Sequence, residues 1–315
     1  MKNVLAVDIG GTHFRTGLFD EQGRRLLILE GDTNRAAGRD WMLGQLTSRC
    51  RELMAQTDAP VQACGLSFGG PVDFRRQSVT SVHSSGWQGF ELGKWMEQTL
   101  GIPCRLDNDA NGGALGEYHY GAGRGAKSMV YITISTGIGS GLVYEGKLVR
   151  GKDYMAGEIG HIPVSDSGAR CSCGGRGCLE SFSSGGAMET RAREWAQRRP
   201  EHVARMVELS GSQEITAEAV MRAAVEGDSA AAHIVHETTR WLARGLLMVI
   251  RILNPDMIVL GGGVAQSGTL LLENLHSFLE EFASPTIIYS TEIVTAGLGN
   301  YSPLYGAAAL GAENP

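Results

Sequence analysis

The sequence predicts an α/β protein of two similar lobes, and three observations carry that prediction. Residues 4–9 (VLAVDI), 14–19 (FRTGLF) and 24–29 (RRLLIL) are short apolar runs separated by glycine-rich and turn-forming stretches, the pattern of three antiparallel strands. Residues 129–149 (MVYITISTGIGSGLVYEGKLV) repeat the plan of strand, small-residue turn, strand, Gly-containing hairpin and strand, which marks an internal duplication. After each copy, strands alternate with helices, as in α/β proteins. Two copies of one motif imply two lobes with a cleft between them.

Between the copies, the pattern places a helix over 40–56, a strand over 63–68 and helices over 92–100 and 111–120. Beyond the second copy, residues 228–253 carry apolar side chains at three- and four-residue spacing until Asn254-Pro255 stops them, a long helix. The strand MIVLGGG follows, then a helix over 269–282, strand-like TIIYS (286–290) and EIVTA (292–296), and a small-residue helix over 302–310. No linker marks a boundary. The pattern places it near Asp107, with a small lobe of 1–108 plus a C-terminal helix at about 300–315 and a large lobe of 109–299.

At 315 residues and 43% hydrophobic, the chain can bury a substantial core. A net charge of −6 and a pI near 5.8 give no footprint for nucleic acid or an anionic membrane. The N-terminal MKNVLAVDIGG lacks a signal-peptide h-region, and the apolar run Leu246–Ile250 is stopped by Arg251. The expected compartment is therefore the reducing cytoplasm. Cys50, Cys64 and Cys104 are scattered, which suits buried thiols, whereas Cys171, Cys173 and Cys178 form a cluster. In such a chain a tight cluster points to metal rather than to a disulfide framework.

Asp8-Ile9-Gly10-Gly11-Thr12 closes the first strand. Its glycines let backbone N–H groups approach an anion, and Thr12 adds a hydroxyl. Asp8 needs a cation between itself and phosphate, hence Mg²⁺ or its water shell. Ser135-Thr136-Gly137-Ile138-Gly139 is the corresponding turn of the second copy, and Gly261-Gly262-Gly263 follows a further strand where bare backbone could receive adenine or ribose. Either pair of glycines alone could be a plain hairpin turn; together they favour a triphosphate, although neither fits the Rossmann or Walker pattern. Asp107-Asn108-Asp109 precedes a small-residue helix. It reads either as a helix N-cap or as a carboxylate that orients a hydroxyl for phosphoryl transfer.

DIGGT, GLSFGGPVD, DNDANGGALGE, STGIGSGL, GEIGH, CSCGGRGCLE and NPDMIVLGGG occur in the order found in ROK-family sugar kinases, which the chain resembles over nearly its whole length. The resemblance implies a duplicated actin-like, ribonuclease-H-like ATPase fold with sugar and ATP meeting in the interlobe cleft. It implies ATP-dependent phosphorylation of a hexose or N-acetylhexosamine, usually at C6. Asp109 would be the base, Asn108, Glu158, His161 and Glu180 sugar ligands, and Gly70 a backbone contact to the sugar. Asp8, Gly10, Gly11, Thr12, Thr136, Gly137, Gly262 and Gly263 would hold the nucleotide and Mg²⁺. By analogy with the family, the partner is a second copy of the chain.

His161 is followed by C-x-C-x4-C at Cys171, Cys173 and Cys178, a Cys₃His set suited to tetrahedral Zn²⁺; free thiols or a redox pair are the alternatives. If one nitrogen of His161 binds zinc, the other is free for a sugar oxygen, so the segment 161–180 would brace the pocket. Three positions depart from the common family pattern: His13 where lysine is frequent, Ser135 where glycine is usual, and His83-Ser84 where many relatives read Asn-Leu. The family's repressors carry an N-terminal helix-turn-helix arm. With DIGGT beginning at residue 8, the expectation here is a kinase rather than a DNA-binding protein, with a catalytically weak sugar sensor as the rival reading.

Overall fold

The computed structural model describes residues 2–80, 86–166, 168–212, 214–284 and 290–313. The chain opens with β1 (Asn3–Ile9), β2 (His13–Asp20) and β3 (Arg25–Asp32), followed by α1 (Gly38–Ala55), β4 (Val61–Phe68), the short pair β5 (Val72–Asp73) and β6 (Ser78–Val79), α2 (Leu92–Leu100), β7 (Cys104–Asn108) and α3 (Asp109–Tyr120). The second copy supplies β8 (Ser128–Ile134), β9 (Ile138–Tyr144) and β10 (Lys147–Leu148). Helices α4 (Glu180–Ser183), α5 (Gly185–Arg198), α6 (Ala204–Ser210), α7 (Ala217–Val225) and α8 (Ser229–Leu253) come next. The chain ends with β11 (Met257–Gly261), α9 (Gly262–Ala265), α10 (Leu270–Phe282), β12 (Glu292–Thr295) and α11 (Ser302–Ala312).

The duplication read from the sequence returns as topology. One sheet has the order β3-β2-β1-β4-β7 and the other β10-β9-β8-β11-β12, so the third, second, first, fourth and fifth strands line up identically in both. In the first sheet β1, β2 and β3 are antiparallel, while β4 and β7 run parallel to β1 and to one another. All seven residues of β1 are buried, as expected for a central strand covered on both faces.

Packing divides the chain into two compact units. One comprises Met1–Tyr131, Gly141–Ala156 and Ala296–Pro315, the other Ile132–Ser140 and Gly157–Thr295. In the first unit α1 lays Met42, Leu43, Leu46, Cys50 and Leu53 onto the sheet core of Leu5, Val7, Phe14, Leu18 and Leu66. Helix α3 falls in the same unit, on the far side of the 108/109 boundary that the sequence pattern suggests. The reason is close packing against α11: a Cβ on Gly306 would enter the van der Waals shell of the Gly112 carbonyl, and one on Gly116 that of the Ser302 carbonyl.

Glu117 locks the same contact. Its fully buried carboxylate accepts hydrogen bonds from the N–H groups of Ala122 (2.8 Å), Gly297 (2.9 Å) and Leu298 (2.9 Å) and from the Ser302 hydroxyl (2.6 Å). The C-terminal segment is thereby tied to α3.

The second unit carries helices that the sequence reading left unassigned, α4, α5, α6, α7 and α9 among them. Two of them begin at side-chain caps visible in sequence: Ser184 accepts from the Ala187 N–H and Thr216 from the Ala219 N–H. Asp228 caps α8, and Asn254, in the left-handed region at φ 41°, ends it before Pro255. Ile234, Leu242, Leu246 and Ile250 of α8 are buried. Strand-like TIIYS, apart from Ser290, and the His83-Ser84 departure lie outside the described residues. Among the described residues no helix is long and apolar enough to cross a membrane.

Candidate active site

Strand register gathers the candidate residues of the first unit. Asp8 of β1 pairs with Ser67 of β4, and Ser67 with Asp107 of β7; Ile9, Phe68 and Asn108 form the next row. These rows end the parallel strands, so the loops leaving them, Gly10-Gly11-Thr12, Gly69-Gly70-Pro71 and the start of α3, emerge side by side. That carboxyl edge is where open α/β sheets bind ligands.

The three residues of Asp107-Asn108-Asp109 divide their work. Asp107, 1% exposed, accepts from Arg150 Nε (2.7 Å), Asn111 Nδ2 (2.8 Å) and the Asn108 N–H (2.8 Å). Arg150 is stacked over Phe74 at 3.8 Å. Asn108 is the N-cap of α3, its Oδ1 accepting from the Asn111 N–H at 2.7 Å, so the capping alternative falls on this residue while its Nδ2 donors are not spent on the cap. Asp109 opens the helix. Its Oδ2 lies 3.7 Å from where a Cβ on Gly69 would stand, and the Gly69 N–H bonds the Ile9 carbonyl at 2.8 Å. The carboxylate is thus set beside the first glycine turn.

That turn is held from its carbonyl side. The 33–35 loop bonds all three carbonyls: Thr33 Oγ1 to Gly10 (2.8 Å), Arg35 Nε to Gly11 (2.7 Å) and the Thr33 N–H to Thr12 (2.7 Å). His13 turns away, its Nδ1 2.9 Å from Asp32 Oδ1 on the surface. Behind the turn, burial pushes the Asp8 carboxyl up to about 6, opposed by the neighbouring Arg15 guanidinium at 3.5 Å. A cation at this strand end would relieve the desolvated carboxylate. A cavity of about 470 Å³ opens in front, lined by Gly10, Gly11, Gly69, Gly70, Trp87 and Arg35 among others.

In the second unit, Gly157-Glu158-Ile159-Gly160-His161 lies directly on β9. A Cβ on Gly157 would stand 2.7 Å from the Ser140 carbonyl oxygen, and one on Gly160 would overlap that of Ile138. Only glycines permit this approach. The resulting 3₁₀ turn sets His161 Nε2 3.6 Å from Glu158 Oε2.

The other imidazole nitrogen faces the cysteines. His161 Nδ1 is 3.5 Å from Cys171 Sγ, and Cys173 Sγ is 3.7 Å from Cys178 Sγ. The four ligand atoms all lie within 4.8 Å of one another. A tetrahedron with metal–sulfur bonds of about 2.3 Å and a metal–nitrogen bond of about 2.05 Å has S–S edges near 3.8 Å and S–N edges near 3.6 Å. The donor set and its dimensions therefore fit a tetrahedral zinc ion. Burial and the adjoining thiols push Cys178 up to about 12, a cost of gathering sulfurs that a divalent cation reverses. The cysteines are all free of disulfides.

Glu180 follows this knot and bonds in two directions: Oε2 accepts the Ile138 N–H at 2.9 Å and Oε1 the Ser172 hydroxyl at 2.9 Å. It joins the cysteine loop to the turn of Ser135, Thr136 and Gly137. The Ser135 carbonyl of that turn accepts the Gly185 N–H (2.7 Å) and the Thr136 carbonyl the Gly186 N–H (3.2 Å) at the start of α5. Gly262, at φ 83°, and Gly263 open the one-turn α9 directly after β11.

Sequence reasoning did not single out Arg35 or Arg150 as site residues. Nothing local marks them, because an arginine in a polar loop reads as surface until its partner is known.

An α/β chain with two sheets of identical strand order and glycine turns at their edges defines an actin-like, ribonuclease-H-like ATPase fold. The profile of the ROK family matches residues 4–314, and the chain belongs to that family. It is 32% identical over 309 residues to a glucokinase of Thermotoga maritima, covering 98% of this chain and 96% of that one. A ROK family glucokinase from Streptomyces griseus, in a crystal structure with glucose and AMPPNP, superposes with a TM-score of 0.88 at 32% identity over 99% of this chain and 100% of that one. A xylose repressor of Caldicellulosiruptor bescii is 26% identical, covering 98% of this chain and 77% of the repressor.

Proposed function

We propose that this ATP-dependent sugar kinase of the ROK family transfers the γ-phosphoryl group of ATP to the C6 hydroxyl of a hexose or N-acetylhexosamine, with Asp109 as the base. The observation that carries the reading is the placement of Asp109 at the first position of α3, beside the Gly10-Gly11-Thr12 turn. A carboxylate there orients the hydroxyl and takes its proton late, because a loose phosphoryl-transfer transition state asks mainly for positioning. Asp107 and Arg150 fix the strand end from behind. Asn108, Glu158, His161 and Glu180 carry the remaining sugar-ligand assignments, with Gly70 as a backbone contact. Paired polar groups of this kind penalise sugars that lack a hydroxyl.

Gly10, Gly11, Thr12, Thr136, Gly137, Gly262 and Gly263 are assigned to the nucleotide, and Asp8 to Mg²⁺, which when bound neutralises phosphate charge. Zinc is assigned to His161 Nδ1, Cys171, Cys173 and Cys178 as a structural ion. It fixes the imidazole so that Nε2–H is the nitrogen left for a sugar oxygen. The assembly is assigned as a homodimer, on family analogy.

A coupled ADP-release assay over glucose, mannose, fructose, allose, N-acetylglucosamine and N-acetylmannosamine tests the reading. At least one sugar should support turnover, its 6-deoxy analogue should not, and Asp109→Asn should abolish turnover with a modest change in sugar affinity. An Asp109→Asn enzyme of full activity refutes the assignment of the base. A sugar that binds without turnover would instead favour the sensor reading, toward which the likeness to a xylose repressor points.

A further inference from the structure

We propose that Arg35 is the cationic phosphate ligand of this enzyme, taking over at the first glycine turn the charge that position 13 does not supply. The argument rests on the kinase reading above for what the phosphate belongs to, and on the first unit alone for where it binds. Two neighbouring cavities meet at the 33–35 loop. One, of about 470 Å³, is lined by Gly10, Gly11, Gly69, Gly70 and Trp87, and the other, of about 600 Å³, by Gly11, Thr12 and Thr33. Arg35 lines both, and among the described residues no other cationic side chain lines either.

The guanidinium is held directly over the turn. Its Nε donates to the Gly11 carbonyl at 2.7 Å, and Nη2 occupies the space that a Cβ on Gly11 would take. One N–H of five is spent on that bond, leaving a planar set of donors that suits a phosphoryl group. Among the described residues Arg35 meets no carboxylate within ion-pair distance, whereas the other candidate cation, His13, is engaged by Asp32 at 2.9 Å.

The turn itself is arranged for an anion. Its three carbonyls are bonded by Thr33 and Arg35. Among the described residues no protein acceptor meets the N–H groups of Gly11 and Thr12. Backbone donors with a fixed guanidinium beside them form a terminal-phosphate site. Because Arg35 borders both cavities, it can hold the phosphoryl group as the nucleotide's γ-phosphate and, after transfer, as the ester of the product.

The test compares wild type, Arg35→Gln and Arg35→Lys in two measurements. Inorganic tripolyphosphate binding is measured by calorimetry, with adenosine as the ligand that lacks phosphate, and steady-state kinetics give the KM for ATP and kcat. Arg35→Gln should weaken tripolyphosphate and kcat/KM for ATP by about 10- to 100-fold, the effect of losing a charge-assisted bond. Adenosine affinity and the sugar Kd read from Trp87 fluorescence should stay within about 2-fold, and Arg35→Lys should recover part of the loss. A merely structural role, unlatching the loop from Gly11, would move the sugar Kd and would not be rescued by lysine; that outcome overturns the proposal. Equal tripolyphosphate affinity in wild type and Arg35→Gln overturns it too, whether or not any sugar is turned over. Arg35-dependent tripolyphosphate binding without sugar-dependent ADP release would sink the kinase reading and leave this site standing.

Discussion

Replacing Glu117 with glutamine should destabilise the protein far more than the loss of one charge on a surface would. The carboxylate receives two donors at each oxygen, Ala122 and Gly297 N–H at Oε2, and Leu298 N–H and Ser302 O–H at Oε1. A glutamine keeps one oxygen and sets an NH₂ against the other pair. The less costly orientation puts NH₂ at the Oε1 side, because the Ser302 hydroxyl lies 2.8 Å from the Gly299 carbonyl and can turn to donate there while accepting from the amide. Leu298 N–H is then buried against a donor, which costs about 1–3 kcal/mol. The two bonds that remain at Oε2 lose charge assistance, about 1 kcal/mol each. The sum is roughly 3–5 kcal/mol, a large share of the ~5–15 kcal/mol that holds a typical domain. Thermal unfolding followed by circular dichroism should show a Tm lower by about 5–15 °C. A drop below about 2 °C would refute the reasoning, since it would mean that the C-terminal segment does not depend on this carboxylate.

Three further expectations concern other parts of the molecule. Metal analysis of the purified protein should find about one zinc per chain, and Cys173→Ser should lose it with a raised sugar KM; a metal-free protein of full sugar affinity would contradict the zinc assignment. The folded-state value of Asp8, about 6 against 3.8, means that the folded state binds more protons in this window. Its contribution of about 3 kcal/mol is therefore fully present below pH 3.8 and lost as pH rises through 6, and Asp8→Asn should flatten this fall in denaturant titrations between pH 4 and 7. Gly306→Ala should destabilise by about 1–3 kcal/mol, because its methyl meets the Gly112 carbonyl and forces α11 off α3; unchanged urea midpoints would show that the helices can part without penalty.

The sequence determined the duplicated α/β plan and the membership of one cluster. Apolar runs of fixed length and the repeat at 129–149 are local signals, and they return as two sheets of one strand order. Cys171, Cys173 and Cys178 lie within eight residues, with His161 ten residues before the first, so chain proximity alone announced a ligand set. The same locality explains what was not legible. Glu117 finds Leu298 across 181 residues, and Arg150 reaches Asp107 across 43.

The Asp107-Asn108-Asp109 triplet shows the division most clearly. Sequence offered two roles for it, helix cap and base, and the structure gives three neighbours three different environments. Asn108 caps, Asp107 is buried under Arg150, and Asp109 stands beside the glycine turn. Residue type set what each side chain could do, because donors, acceptors and charge are covalent properties. Which of those capacities is spent inside the protein and which is left for a ligand was decided by strand register and packing, since these bring distant segments within hydrogen-bond reach.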